Sequence, residues 1–468
     1  MTNEPKRARS RRKPTASPDN ASPVYFLSLE IERVLCFKDR QVLDLSDGNG
    51  NPAQWTVILG DNGVGKTTLL RCINSMEMRG SRNKDSLPLL FAPYLSESFS
   101  DWQELNTLTE SEAKVVSSVV CGSMLSSFKL LLNGNSSKRD LLSQKLNIEA
   151  GIETYWGISD VSINPSDTLI NLEGLLCYGY GATRKMGRTS LSENIFGDNS
   201  GSLFSEDASL INAEEWLLQI DYAIHSASGL MRSRLTRQLK QIKNVLKKLL
   251  PGITNIRIAL ASDEQLRPRA EFRTPYGWVP LTSLGLGYRT TIAWMVDLAV
   301  RLFRRYPDSK DPLAEPAIVL VDEIDLHLHP KWQRNIMSFL TERFPNTQFI
   351  VTAHSPLVVQ AAKDANIVLL RREGDRVVID NDPEIVENWR VDQVLTSVFE
   401  LPTARPASLE PLLTRRQEIL SRARLSKADE AELQQLETQI GSLPTAETPD
   451  DIKAMDIIRR AAQLLENS

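Results

Sequence analysis

At 468 residues the chain exceeds what one hydrophobic core usually serves, so two or three packing units are expected. A composition 41% apolar and 24% charged, with a formal net charge of −4, excludes a chain too polar to fold and gives no bulk electrostatic case for a nucleic-acid partner. No apolar run reaches the roughly 18 residues of a membrane span, the first residues lack the apolar core of a secretory signal, and Cys36, Cys72, Cys121 and Cys177 lie too far apart for a metal or redox motif; a cytoplasmic protein with reduced thiols and no membrane contact is expected.

Residues 1–22 set Lys6, Arg7, Arg9, Arg11, Arg12 and Lys13 among Pro, Ser, Thr and Asn, with almost nothing apolar to bury. They read as a disordered basic tail, a solvated segment or an arm for DNA. The head's first part, residues 23–99, opens with alternating Phe26, Leu27, Leu29, Ile31 and then Val42, Leu43, a pair of strands. An apolar strand, Val57-Ile-Leu59, then runs into Gly60-Asp-Asn-Gly-Val-Gly-Lys-Thr67. Gly60, Gly63, Gly65, Lys66 and Thr67 fill the pattern G-x-x-x-x-G-K-S/T between a strand and a helix, the context of a phosphate-binding loop (Walker A). Backbone N–H groups of that turn, including Asn62 and Thr68, face phosphate oxygens. Lys66 reaches the β and γ phosphates of ATP, and the Thr67 hydroxyl is a ligand for Mg2+.

Residues 100–270 are too many for a loop and read as a mainly helical insertion. Within it, Leu169 to Tyr178 reads as a strand returning to the head, followed by Gly179-Tyr-Gly-Ala-Thr-Arg184. Arg184 is either a cation facing phosphate or a surface turn residue. Between 213 and 250 one long helix is expected, with Leu235, Leu239, Ile242, Leu246 and Leu249 on one face. Its cations over 232–248, Arg237, Lys240, Lys243 and Lys247 among them, form a solvated stripe or a second place for DNA.

The head's second part, 271–405, starts a long amphipathic helix at Ser283-Leu-Gly-Leu-Gly-Tyr-Arg289, where Gly285 and Gly287 allow close backbone approach to a phosphate. Ala317-Ile-Val-Leu-Val-Asp-Glu323 is an apolar strand ending in two carboxylates (Walker B). Asp322 suits a metal held through water, and Glu323 suits polarising an attacking water. Gln348 to His354 is a further apolar strand whose terminal histidine can sense a γ phosphate. Strands near 367–370 and 376–379 close the sheet, and residues 406–468 read as a helical tail with a start signal at Ser426 and Asp429 and a last helix from Thr448.

Together the Walker A loop, the glycine-rich helix start, Val321-Asp-Glu-Ile-Asp-Leu-His-Leu-His-Pro330 and Thr352-Ala-His-Ser-Pro356 resemble the ABC-type, AAA-family ATPase heads of the SMC and RecF group, over about residues 23–400. The resemblance implies an α/β fold: a P-loop head with a mixed sheet, a largely helical insertion and a helical C-terminal tail. It also implies two heads enclosing ATP, each presenting its signature loop (here Leu284–Tyr288, with Ser283, Gly285 and Gly287) to the other's nucleotide. Asp325–Pro330 becomes a dimer-contact loop, Glu323 the general base and His354 the switch histidine. Gly285 stands where that group usually has serine, which points to slow or conditional hydrolysis.

More narrowly, Leu284-Gly-Leu-Gly-Tyr-Arg289, Tyr178-Gly-Tyr-Gly-Ala-Thr-Arg184 and the stretch from Val391-Asp-Gln-Val-Leu-Thr396 are similar to the PtuA-type ATPases of Septu anti-phage systems and their retron-associated relatives. That likeness implies an oligomer that regulates a separately encoded, HNH-type (PtuB-like) nuclease. The alternative is a repair ATPase of RecF or SMC kind that binds DNA directly. With only His225, His327, His329 and His354 in the chain, no HNH site can be built within it. Asp380 and Asp382 read as a turn, and His327 and His329 as part of the dimer loop rather than a metal cluster.

Overall fold

The computed structural model describes residues 23–75, 113–121, 124–132, 175–187, 199–260, 267–383, 390–399, 401, 404, 406–422 and 425–441. Trp55–Gly60, Ala317–Val321 and Thr347–Thr352 are buried at every position, as in parallel strands covered on both faces. They are β3, β10 and β11 of a six-stranded sheet ordered β13-β12-β3-β11-β10-β6, with β6 at Cys177–Tyr180, β12 at Asn366–Glu373 and β13 at Arg376–Asp380. Every pairing is parallel except the β12–β13 hairpin. Ile58 pairs with Thr352, and Val351 with Val321. The phosphate loop, the two acids and His354 therefore leave the sheet at one edge, the carboxyl edge where such sheets place their ligands.

A second sheet is antiparallel, ordered β2-β1-β4-β5, from β1 (Val24–Glu32), β2 (Gln41–Asp44), β4 (Ala113–Cys121) and β5 (Met124–Leu132). Phe26, Leu29, Ile31 and Leu43 share one core with Ile58, Leu320, Ile350 and Val368, and with Leu69, Leu70 and Ile73 of α1 (Lys66–Ser75). Each such side chain contributes about 1.5–3 kcal/mol by burial, so the helix that follows the phosphate loop is fixed by apolar packing.

The stretch expected to be mainly helical holds strands as well. β4 and β5 extend the second sheet, and β7 (Asn255–Ala259) and β8 (Arg269–Thr274) join β9 (Gly277–Pro280) in a three-stranded meander. Val115, Val116, Val119 and Val120 supply the β-branched content of a strand. The single helix expected over 213–250 is two, α3 (Ala213–Ser226) and α4 (Gly229–Leu249), after the short α2 (Gly201–Phe204). The chain breaks at Ala227 and Ser228, and Gly229 has φ +57°. Leu239, Ile242, Val245, Leu246 and Leu249 form the buried stripe of α4.

α5 (Leu286–Arg305) is buried continuously from Thr290 to Phe303, a helix surrounded by protein. Its polar core residues are paired. Arg301 donates to Asp297 at 2.6 Å, and Asp297 also accepts from the Tyr180 hydroxyl at 2.9 Å and from the Ile211 N–H at 3.1 Å. Short helices α6 (Pro330–Gln333), α7 (Ile336–Arg343) and α8 (Pro356–Ala361) follow β10 and β11.

The chain divides into two compact units, Met1–Glu387 and Asn388–Ser468. The second includes α9 (Val391–Ser397), which the sequence reading had placed with the head. In it α10 (Glu410–Leu420) and α11 (Lys427–Gly441) form a hairpin around Ile419, Leu436 and Ile440. Ser426 and Asp429 cap α11 reciprocally: the Asp429 N–H donates to the Ser426 hydroxyl at 3.1 Å, and the Ser426 N–H donates to the Asp429 carboxylate at 2.8 Å. The tail over 1–22, most of the strand expected from Leu169 and the helix expected from Thr448 lie outside the described residues. Among the described residues no helix is long and apolar enough to cross a membrane.

Candidate nucleotide site

The phosphate loop bends because of its glycines and is held from behind. Gly65 has φ +89°, and a Cβ there would lie 2.7 Å from both the Cys36 sulfur and the Phe37 ring. Packing and a left-handed backbone both require glycine at this position. The loop leads straight into α1, whose first N–H groups point back towards it.

An open cleft of about 430 Å³ lies over this turn, lined by Leu35, Cys36, Asn62, Gly63, Gly65, Lys66, Thr67, Thr68, Asp322, Glu323 and His354. Nine of these the sequence had marked for phosphate, metal or water chemistry. Lys66 is 7% exposed, and its ammonium donates to the Gly60 carbonyl at 2.8 Å and the Asp61 carbonyl at 2.7 Å. Burial lowers its pKa, opposed by the charges of Asp322, Glu323, Asp61 and Asp325.

Thr67 and Asp322 meet although 255 positions apart: the hydroxyl donates to Asp322 Oδ2 at 2.6 Å. The other carboxylate oxygen, Oδ1, accepts from the Thr352 hydroxyl at 2.6 Å. A hydroxyl and a carboxylate converging beside a phosphate loop form the hard oxygen donor set that Mg2+ takes when phosphates complete its shell. The residues present fit that ion. Among the described residues no three His, Cys, Asp or Glu side chains converge on a possible metal position, so His327 and His329 form no such cluster. Asp382 N–H donates to Asp380 Oδ1 at 3.2 Å, a local turn.

Glu323 sits at φ +49°, uncommon for a residue with a side chain, and its N–H donates to Thr352 Oγ1 at 2.7 Å. Beyond it, Asp325 accepts from the His354 N–H at 3.2 Å, tying the loop after β10 to the end of β11. Asp325 thus serves the loop's own architecture and does not line the cleft. Ser283, Gly285 and Gly287 do not line it either. Ser283 and Gly285 are exposed at the start of α5, and Gly287 packs against the loop after β10, where a Cβ would lie 2.3 Å from the His327 carbonyl oxygen.

Three residues at or behind the cleft, Leu35, Cys36 and Thr352, carried no sequence signal for it, and a fourth, Arg184, carried an ambiguous one. Leu35 (φ +50°) and Cys36 form one wall, Thr352 links the two acids, and Arg184 sits beneath them. The surface-turn alternative for Arg184 does not hold. The residue is 2% exposed and donates to the carbonyls of Asp322 at 3.1 Å and Glu323 at 2.8 Å.

Residues 198–360 match the family described as "AAA domain, putative AbiEii toxin, Type IV TA system", and residues 28–88 match a second AAA domain family. Among curated proteins, the Septu protein PtuA of Bacillus mycoides (strain KBAB4) is 23% identical over 391 residues, 82% of this chain and 46% of that protein. The Retron Ec83 probable ATPase of Escherichia coli is 29% identical over 46% of this chain and 36% of its own length. The Retron Vc95 probable ATPase of Vibrio cholerae serotype O1 biovar El Tor is 36% identical over 30% and 26%. The chain spans less than half the length of these relatives. It resembles the ABC-type AAA ATPases and, more narrowly, PtuA and the retron-associated ATPases.

Proposed function

We propose that the chain binds and hydrolyses ATP, closes as a dimer around it, and thereby regulates a separately encoded nuclease of HNH type in the cytoplasm, in defence against phage. The observation that carries this reading is the 2.6 Å contact of Thr67 with Asp322, which joins the phosphate loop to the acidic strand in one cleft with Glu323 and His354.

In this reading the N–H groups of Asn62 to Thr68 and the Lys66 ammonium hold the triphosphate. Mg2+ held at Thr67 and Asp322 would neutralise charge on the phosphate oxygens. Glu323 accepts a proton from water as the water oxygen bonds to the γ phosphorus. The bond from that phosphorus to the bridging oxygen breaks, leaving ADP and phosphate, and His354 faces the γ phosphate.

What one chain leaves open supports the dimer. Gly285 begins α5 with no side-chain cap, and Leu286 beside it is 53% exposed. Helix-start N–H groups lack partners within their helix, and here they suit the γ phosphate held by a second copy. Nuclease regulation and defence rest on the likeness to PtuA and the retron ATPases. The test is sedimentation of the purified chain with and without a non-hydrolysable ATP analogue, alone and with the product of a nuclease gene found beside its own. Nucleotide-dependent association and co-sedimentation of the nuclease are expected; a monomer under all conditions overturns the reading.

A second reading, direct DNA binding, draws on the exposed Arg232, Arg237 and Lys240 of α4. DNA retention that falls steeply with salt and is lost on replacing those three residues would favour it.

A further inference from the structure

The reaction above uses the acids at the end of β10 but not the cation buried beneath them. β6 lies parallel to β10, with Tyr180 opposite Val321, and the Asp322 N–H donates to the Tyr180 carbonyl at 2.8 Å. The turn Gly181-Ala-Thr-Arg184 therefore leaves the sheet beside the acidic turn. Arg184 spreads its fork over two successive carbonyls, Nη1 on Asp322 and Nη2 on Glu323. Its Nε is buried with no hydrogen-bond partner among the described residues. Placing a cation here costs desolvation, and a buried guanidinium is retained only where two-pronged geometry is needed.

What it grips is the strained residue. A left-handed conformation at a residue with a side chain is strained and persists only where the surroundings hold it. Glu323 is held at both of its backbone polar groups: its N–H donates to Thr352, and its carbonyl accepts from Arg184 and, within the turn, from the Leu326 N–H at 3.0 Å. Without Arg184 that carbonyl keeps only the Leu326 bond, made inside the same turn, and nothing ties it to the segment after β6; the turn can then shift as a unit and the carboxylate with it.

We propose that Arg184 is a positioning residue that fixes Glu323 in its left-handed conformation, so that its carboxylate faces the cleft; this rests on the ATPase reading. Arg184 touches neither nucleotide nor water, and its effect passes through the backbone of Glu323. Replacing it should slow turnover while leaving ATP affinity nearly intact, because Lys66 and the loop N–H groups are untouched.

The experiment compares kcat, KM and melting temperature for the parent, Arg184→Gln and Arg184→Lys, with Lys66→Ala as the binding control. Arg184→Gln should lose roughly 10- to 100-fold in kcat, the scale of supporting-residue losses at metal sites, with KM little changed. Arg184→Lys, able to restore one of the two bonds, should fall between Gln and the parent. Thr352→Val removes the opposite hold together with the bond to Asp322, so a kcat-selective loss at an unchanged Mg2+ requirement supports the proposal and a raised Mg2+ requirement counts against it, which keeps the question answerable if Arg184→Gln does not fold. Unchanged kcat in the Arg184 variants overturns the proposal, as does a loss confined to KM and melting temperature. A parent with no Lys66-dependent ATP turnover instead overturns the ATPase reading on which it stands.

Discussion

The carboxyl edge of the six-stranded sheet and the start of α5 both present glycine-bordered helix N-termini, yet only the first is surrounded. Around the phosphate loop stand Lys66, Thr67, Asp322, Glu323 and His354, brought in by three strands. Around the start of α5 stand the exposed Ser283, Gly285 and Leu286. A helix end with a lysine, a metal-type donor pair and a carboxylate can bind and react within one chain. A helix end lacking all of these can only supplement a phosphate that another surface brings to it. In the proposed dimer the two regions would be complementary halves, and variants in each should fail in different ways.

The largest difference is expected from Glu323→Gln. Amide for carboxylate removes the proton acceptor and keeps the shape, so single-turnover hydrolysis should fall by roughly 10²- to 10⁴-fold while ATP stays bound and the dimer accumulates. Quench-flow with labelled ATP beside light scattering reads both; parental turnover would remove Glu323 from the chemistry. Lys66→Ala comes next. Loss of a charge-assisted hydrogen bond costs about 1.5–3 kcal/mol, on the order of 10- to 100-fold in nucleotide affinity, and association should be lost with binding. Titration with a fluorescent ATP analogue checks this, and unaltered affinity would separate the loop from the nucleotide.

The sequence was informative at the first region and poor at the second for a physical reason. Gly63, Gly65, Lys66 and Thr67 are contiguous, and Asp322, Glu323 and His354 each follow an apolar strand, so local pattern alone pointed to one sheet edge. The place of Arg184 escaped because its partners, the carbonyls of Asp322 and Glu323, lie 138 and 139 positions away and carry no side-chain signature. Thr352 escaped similarly, as an ordinary strand residue whose hydroxyl acquires a role only when β10 and β11 lie side by side. The β4–β5 pair was missed within a long polar-looking stretch although its valines are strand formers. A two-residue break between α3 and α4 was hidden because the apolar stripe resumes beyond it.

Gly287→Ala sharpens the contrast at smaller cost. Its new methyl would fall 2.3 Å from the His327 carbonyl oxygen, so either α5 or the loop after β10 must shift. Overpacking of this kind costs typically about 1–3 kcal/mol, visible as a lower melting temperature. Nucleotide binding by the single chain should survive, because the cleft is built elsewhere, whereas ATP-dependent association should weaken. If affinity falls and association does not, the assignment of the two halves is reversed.

The smallest expected effect, and the most discriminating, is Gly285→Ser. Gly285 is the cap residue of α5, with φ −58° and ψ 157°, a conformation open to any side chain, and nothing lies within 4 Å of where its Cβ would be. Serine there should raise stability by a few tenths of a kcal/mol, since a hydroxyl can accept from a helix N–H where glycine offers nothing. Within one chain that is the whole consequence: Gly285 lies outside the cleft, so monomeric ATP affinity should not move. In the closed dimer the same hydroxyl would stand at the helix end facing the partner's γ phosphate and add a donor, so steady-state turnover should rise by a few fold at concentrations where the dimer forms and not below them. A turnover gain independent of protein concentration would mean the start of α5 serves its own chain's nucleotide. No gain at any concentration would mean that it meets no nucleotide at all.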